Sequence, residues 1–226
     1  MNQTNTENRY VQILSTGVRL EGIVCTPEDP HGLVVFVHGS GSSRHSPRNQ
    51  FVAQILQEGG LATLLFDLLT PYEEETDLRT RHLRFDIDML ARRTAGVLEW
   101  LDLQPFAYEL KRGLFGSSTG AAAALIAAAE LPDKVGAVVS RGGRPDLAGP
   151  ALPKVQAPTL LIVGANDETV IELNEEALDQ MQTGLDKKLM IVPGASHLFE
   201  EEGTLEYAAC LARDWFQTHL DRVGVR

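Results

Sequence analysis

Apolar runs at 33–37, 62–68, 135–139 and 159–163 show little of the polar–apolar alternation expected of a strand with one face in water. Strands written this way must be covered on both faces, and that demand narrows the fold more than any other feature of the chain. The cover lies between the runs, where apolar residues recur at helical spacing. Phe51, Val52, Ile55 and Leu56 form one such set, Ile87, Leu90, Ala91, Thr94, Val97, Leu98 and Leu101 a second, and Leu205, Ala208, Ala212, Trp215 and Phe216 a third. Strands linked through crossover helices give an α/β fold with a mostly parallel sheet. Residues 10–15 and 18–26, divided by Thr16-Gly17, read as an opening hairpin, and 113–116 and 188–192 complete a sheet of about eight strands. No repeat or long linker divides the 226 residues, so one domain over 1–226 is expected, with 1–9 flexible and 144–158, which holds four prolines, as a long loop.

Charge limits the partners. The 20 basic residues against 31 acidic ones leave a net −11, a field that repels nucleic acid and anionic membrane surfaces. No apolar run approaches the roughly 18 to 20 residues of a membrane span, and the polar opening residues lack the apolar core of a signal peptide. A cytoplasmic protein acting on a small molecule is expected, with oligomeric state left open. The two cysteines, Cys25 and Cys210, have no metal-ligand spacing and read as buried small hydrophobes. Neither a metal nor an organic cofactor is called for by any motif.

The chemistry centres on Gly116-Ser117-Ser118-Thr119-Gly120, a G-x-S-x-G that closes the run 113–115 and opens the Ala-rich run 121–129. Strand, sharp turn and helix in that order form a nucleophile elbow. The turn strains the central serine, and side chains two residues to either side would crowd the crossing of strand and helix. The alternative is a merely glycine-rich turn, so the neighbours decide. The run 33–37 ends in His38-Gly39-Ser40-Gly41-Ser42-Ser43, a loop suited to presenting a backbone N–H to an oxyanion, with Ser40 the candidate donor and His38 packed beneath. A dinucleotide loop would need glycine where Arg44 stands, and Asp67 comes too late for its ribose-binding acid. Asp167 and His197 each fall just past the carboxyl end of a strand, where open parallel sheets build their sites. Taken singly, Asp167 reads as a helix N-cap and His197 as a solvated loop residue; the order Ser118, Asp167, His197 is what points to a triad.

These residues resemble the α/β-hydrolase superfamily and, within it, its cap-less dienelactone hydrolase-like family. The resemblance implies an eight-stranded, mostly parallel sheet flanked by helices and without a large cap domain, a Ser118/His197/Asp167 triad, and an oxyanion hole from the amides of Thr119 and Ser40. It also implies a carboxylic ester hydrolase, with Ser118 where the namesake enzymes carry cysteine. Small esters or lactones would then be cleaved through an acyl-enzyme. A thioesterase, peptidase or perhydrolase would use the same triad, and a non-catalytic binding protein would keep only the fold. Arg141 and Arg144, in the loop that would carry a cap, are candidates for binding a substrate carboxylate, against the alternative of solvated arginines paired with Asp146. The run Glu200–Glu202 reads as a solvated helix start.

Overall fold

The computed structural model describes residues 8–220. Eight strands form one sheet: β1 (Asn8–Ser15), β2 (Val18–Cys25), β3 (Gly32–Val37), β4 (Leu61–Phe66), β5 (Arg112–Ser117), β6 (Ala137–Arg141), β7 (Thr159–Gly164) and β8 (Lys187–Val192), in the order β1-β2-β4-β3-β5-β6-β7-β8. Only β2 runs against the others. Thr16 and Gly17 turn the β1–β2 hairpin, both with positive φ (48° and 80°), the twist that a two-residue hairpin loop requires. Residues 1–7 of the expected flexible start lie outside the described residues. Asn8 and Arg9, grouped with them, instead pair with Cys25 and Val24 in β1.

Among the described residues six α-helices cover the sheet: α1 (Pro47–Glu58), α2 (Pro71–Thr80), α3 (Ile87–Leu101), α4 (Thr119–Glu130), α5 (Glu168–Gln180) and α6 (Thr204–Leu220). Alternate residues of each central strand face opposite layers. Val34 and Phe36 of β3 meet Val52 and Leu56 of α1 and Phe216 of α6, while Leu33 and Val35 lie in the core formed with α3 and α4. This two-sided burial is why the strands read as continuous apolar runs. Helix α4 is rich in alanine and buried on nearly every side. Its small side chains let it lie close beneath the strand ends that carry the site.

The structure departs from the sequence reading elsewhere too. Strand β6 spans 137–141 rather than 135–139, which puts Ser140 and Arg141 in the sheet instead of the following loop. That loop, 142–158, holds 3-10 turns over Pro145–Lys154 and no large cap. Cys25 is buried as expected, whereas Cys210 is half-buried, and both are free thiols. Lastly, α2 has no apolar periodicity. Its only buried residue is Asp77, fixed from the other side by the N–H groups of Leu83 and Arg84 and by the Arg84 guanidinium. Burial raises the Asp77 pKa, but those donors outweigh it and hold the carboxyl below its ordinary range. Asp77→Asn is therefore expected to free the segment 71–86 more than the sheet. Trypsin cleavage at Arg79 and Arg81 should rise about tenfold, since hydrogen bonds to a buried charge contribute roughly 1.5–3 kcal/mol each, while the global melting temperature moves little.

Candidate active site

Ser117 ends β5 and Thr119 begins α4, leaving Ser118 alone to turn the chain. It does so at φ 50°, ψ −126°, a left-handed conformation that costs a side-chain-bearing residue about 1–3 kcal/mol. The flanking glycines show what holds the strain in place. A Cβ on Gly116 would stand 2.4 Å from Ala121 Cα, and one on Gly120 would stand 2.1 Å from the Val37 carbonyl oxygen. Both neighbours are backbone and cannot rotate away. Gly120→Ala is thus expected to destabilise the fold by about 3 kcal/mol, read as a fall of about 6–12 °C in melting temperature.

His197 follows β8 and Asp167 follows β7, as their sequence positions suggested. The His197 Nδ1 hydrogen donates to Asp167 Oδ2 at 2.6 Å, which leaves Nε2 as the ring's acceptor. Asp167 stands at the N-cap position of α5 but caps nothing with its side chain; its carboxylate serves the histidine. Packing pins the loops. Gly164 lies so close to the 195–196 backbone that a Cβ would meet the Ala195 carbonyl oxygen at 2.3 Å, and Ser196 N–H donates to Glu201 Oε2 at 2.9 Å. Glu201, read from sequence as part of a solvated helix start, therefore orders the histidine loop, and α6 begins only at Thr204. Ser118 and His197 line one cavity of about 260 Å³ with Ser40, Arg48, Asn49 and Arg141. No hydrogen bond joins the two to each other; such bonds are often long in unliganded sites and tighten with substrate.

The loop after β3 packs onto the elbow so closely that a Cβ on Gly39 would sit 2.9 Å from Ser118 Cβ. His38 lies beneath it, donating from Nδ1 to the Gly39 carbonyl (2.9 Å) and accepting from Leu68 N–H at Nε2 (3.0 Å). Accepting at Nε2 requires the neutral ring, and burial, outweighing Gly39 and Asp67, shifts its pKa downward in the same sense. The Ser40 N–H donates to Thr119 Oγ1 at 3.1 Å, so this candidate oxyanion donor is engaged by the residue beside Ser118. Arg44 bridges Asp67 and Glu21, tying the loop to β4 and β2 and committing Asp67 to an ion pair.

The two candidate arginines part company. Arg144 forms a two-pronged pair with Asp146 (2.8 and 2.7 Å) and does not line the cavity. Arg141 lies at the end of β6, buried, and does line it. Sequence reading missed Arg48 in the first turn of α1; the signal was Ser46-Pro47, an N-cap followed by proline at N1. It also missed α2, announced by Thr70 and Glu73 as a capping box, whose Pro71 and Glu74 line a second cleft of about 660 Å³ that shares Ser40, Ser42, Ser46 and Arg48 with the first. Among the described residues, no three His, Cys, Asp or Glu side chains are grouped as metal ligands, and no helix is long and apolar enough to cross a membrane.

A mostly parallel eight-stranded sheet, helices on both faces, no large cap and a strained serine between strand and helix define an α/β-hydrolase fold. The chain belongs to the dienelactone hydrolase family, whose model matches residues 20–222. It is similar to the crystal structure of dienelactone hydrolase from Anabaena variabilis, at 58% identity and a TM-score of 0.93, covering 95% of this chain and 99% of that one. It is 25% identical over 94% of its length to an Aquifex aeolicus protein named "Putative carboxymethylenebutenolidase", covering 99% of that protein. It is also 56% identical, over 93% of its length, to a Mycobacterium tuberculosis protein named "Putative phosphoribosyl transferase". The chain spans about half the length of this last relative, 46%, so that name describes a protein more than twice as long as the shared part.

Proposed function

We propose that the chain is a serine hydrolase that cleaves small carboxylic esters or lactones through an acyl-enzyme. The observation that carries this reading is Ser118, strained at the β5–α4 turn, in one cavity with a histidine whose Nδ1 is held by Asp167 at 2.6 Å. A serine hydroxyl is a weak nucleophile at neutral pH. With Nδ1–H committed to Asp167, His197 Nε2 takes the proton as Ser118 Oγ attacks the carbonyl, and Asp167 stabilises the imidazolium that forms. The developing oxyanion lies at the N-terminus of α4, where the Thr119 amide and the helix dipole favour negative charge. Ser40 N–H becomes the second donor when the Thr119 hydroxyl turns aside. The leaving alcohol carries off the proton from His197, and water repeats the sequence to release the acid.

The short 142–158 connection leaves the mouth without a large cap, so no deep tunnel buries a long acyl chain, and each buried methylene would otherwise add about 0.8 kcal/mol. A panel of p-nitrophenyl esters from acetyl to palmitoyl, with lactones and acyl thioesters beside them, tests the assignment. The expected result is a pre-steady-state burst and the highest kcat/KM on the shortest esters or on lactones. A kcat/KM that climbs steadily to palmitoyl, or activity confined to thioesters, contradicts it.

A further inference from the structure

Arg141 faces Ser117 across the β5–β6 register, one residue from Ser118. Strand alternation turns it toward the α1/α6 layer, the side of its neighbours Ala137 and Val139. It is 7% exposed, yet Nε and Nη1 are buried without a partner, and its guanidinium makes no hydrogen bond to any described residue. Its guanidinium carbon lies 5.6 Å from the centre of the Phe199 ring. Burial, with Arg48 close by, lowers its pKa to about 10, so it remains a cation at neutral pH. Hydrogen-bond donors on a buried charge are costly to leave unpaired, and a fold gains nothing by keeping such a group for stability alone.

The surroundings show what would satisfy it. Among the described residues, no Asp or Glu lines the cavity. Arg48 stands beside Arg141 in the first turn of the twelve-residue α1, where the helix dipole is positive, and its own ion pair with Glu200 is long (3.4 Å) and exposed. Ser42 and Ser46 complete that wall. Two guanidinium groups, a helix N-terminus and hydroxyls thus surround one space next to Ser118. Because Arg48 already shares its charge with Glu200, a carboxylate could balance Arg141, but its two oxygens would meet fewer of these donors than a phosphate's three. A phosphate monoester carries about −1.5 to −2 charge at pH 7 and three terminal oxygens, which this arrangement matches.

We infer that the cavity beside Ser118 holds the phosphate of a phosphorylated ester substrate, gripped by Arg141 and Arg48. The inference rests on the serine hydrolase reading. The phosphate is a handle that stays on its carbon, and the bond broken is the acyl–oxygen bond attacked by Ser118.

The test has a binding arm and a turnover arm. Inorganic phosphate is titrated calorimetrically into the wild type, Arg48→Gln and Arg141→Met. Saturable binding to the wild type is expected, weakened at least fivefold in Arg48→Gln and abolished in Arg141→Met, whose melting temperature should rise as a buried unpaired cation is replaced by an apolar chain. Should Arg141→Met not fold, Arg48→Gln, which alters a half-exposed side chain, decides the binding arm alone. Absence of phosphate binding, or binding untouched by the variants, overturns the inference whatever the enzyme hydrolyses. In turnover, 2-acetoxyethyl phosphate is compared with 2-acetoxyethanol, and ethyl phosphoglycolate with ethyl glycolate, which places the phosphate on the alcohol or the acyl side. At least one phosphorylated ester should exceed its parent tenfold in kcat/KM, with the ratio collapsing in Arg48→Gln. Equal rates within both pairs, or preference for 3-acetoxypropanoate over either phosphate ester, overturn it. Phosphate binding without hydrolysis of any ester would instead refute the serine hydrolase reading and leave the anion pocket standing.

Discussion

Ser118→Ala is expected to lower kcat on a short-chain ester by about ten-thousandfold or more while leaving the melting temperature at or slightly above that of the wild type. The hydroxyl is the only attacking atom in the proposed mechanism, so its loss removes the acyl-enzyme route altogether. What survives is whatever the Thr119 amide and substrate positioning still contribute, as in other triad enzymes stripped of their nucleophile. The backbone at φ 50°, ψ −126° is imposed by the close approach of Gly116 and Gly120 to their neighbours and not by the serine side chain, so alanine fits the same turn. Wild-type and variant rates on p-nitrophenyl acetate, beside thermal unfolding curves, check both halves. Equal rates would remove Ser118 from the mechanism.

Asp167→Asn should cost about a thousandfold to ten-thousandfold in kcat without unfolding the protein. An amide NH₂ in place of the carboxylate donates where the imidazole now donates. The ring is then driven to the tautomer that carries its proton on Nε2, the nitrogen that must accept from Ser118. The carboxylate makes no other described hydrogen bond, since its capping position on α5 is unused by the side chain, so the fold loses little. Near-wild-type turnover in Asp167→Asn would place the acid elsewhere. Asp67, which also follows a strand, is already committed to Arg44.

What the sequence disclosed of this site follows from which physical demands leave a mark on residue choice. The elbow was legible because strand and helix cross so closely that a Cβ at either flanking position would come within 2.4 Å of backbone, and Gly116 and Gly120 answer that demand in the open. Asp167 and His197 could be placed from sequence because each follows closely on an apolar run, 159–163 and 188–192, although of the second strand, β8, only Val192 is buried. Arg141 was misplaced for the converse reason. Hydropathy ends a strand at its last apolar residue, whereas β6 continues through Ser140 and Arg141 because pairing with Gly116 and Ser117 carries it into the site. Polar residues at the carboxyl end of a central strand look like loop until the neighbouring strand is known. Helix α2 escaped notice because its one buried residue is an aspartate, so the contact that anchors it has no hydrophobic period to betray it.

The proposed mechanism requires above all that Ser118 be activated. The decisive measurement is the reaction of the purified protein with a fluorophosphonate, followed by intact mass and by tandem mass spectrometry of the tryptic peptide 113–134. One adduct per chain located on Ser118, formed in the wild type and absent in Ser118→Ala, is the expected result. An unlabelled wild type, or an adduct on the adjacent Ser117, would contradict the mechanism.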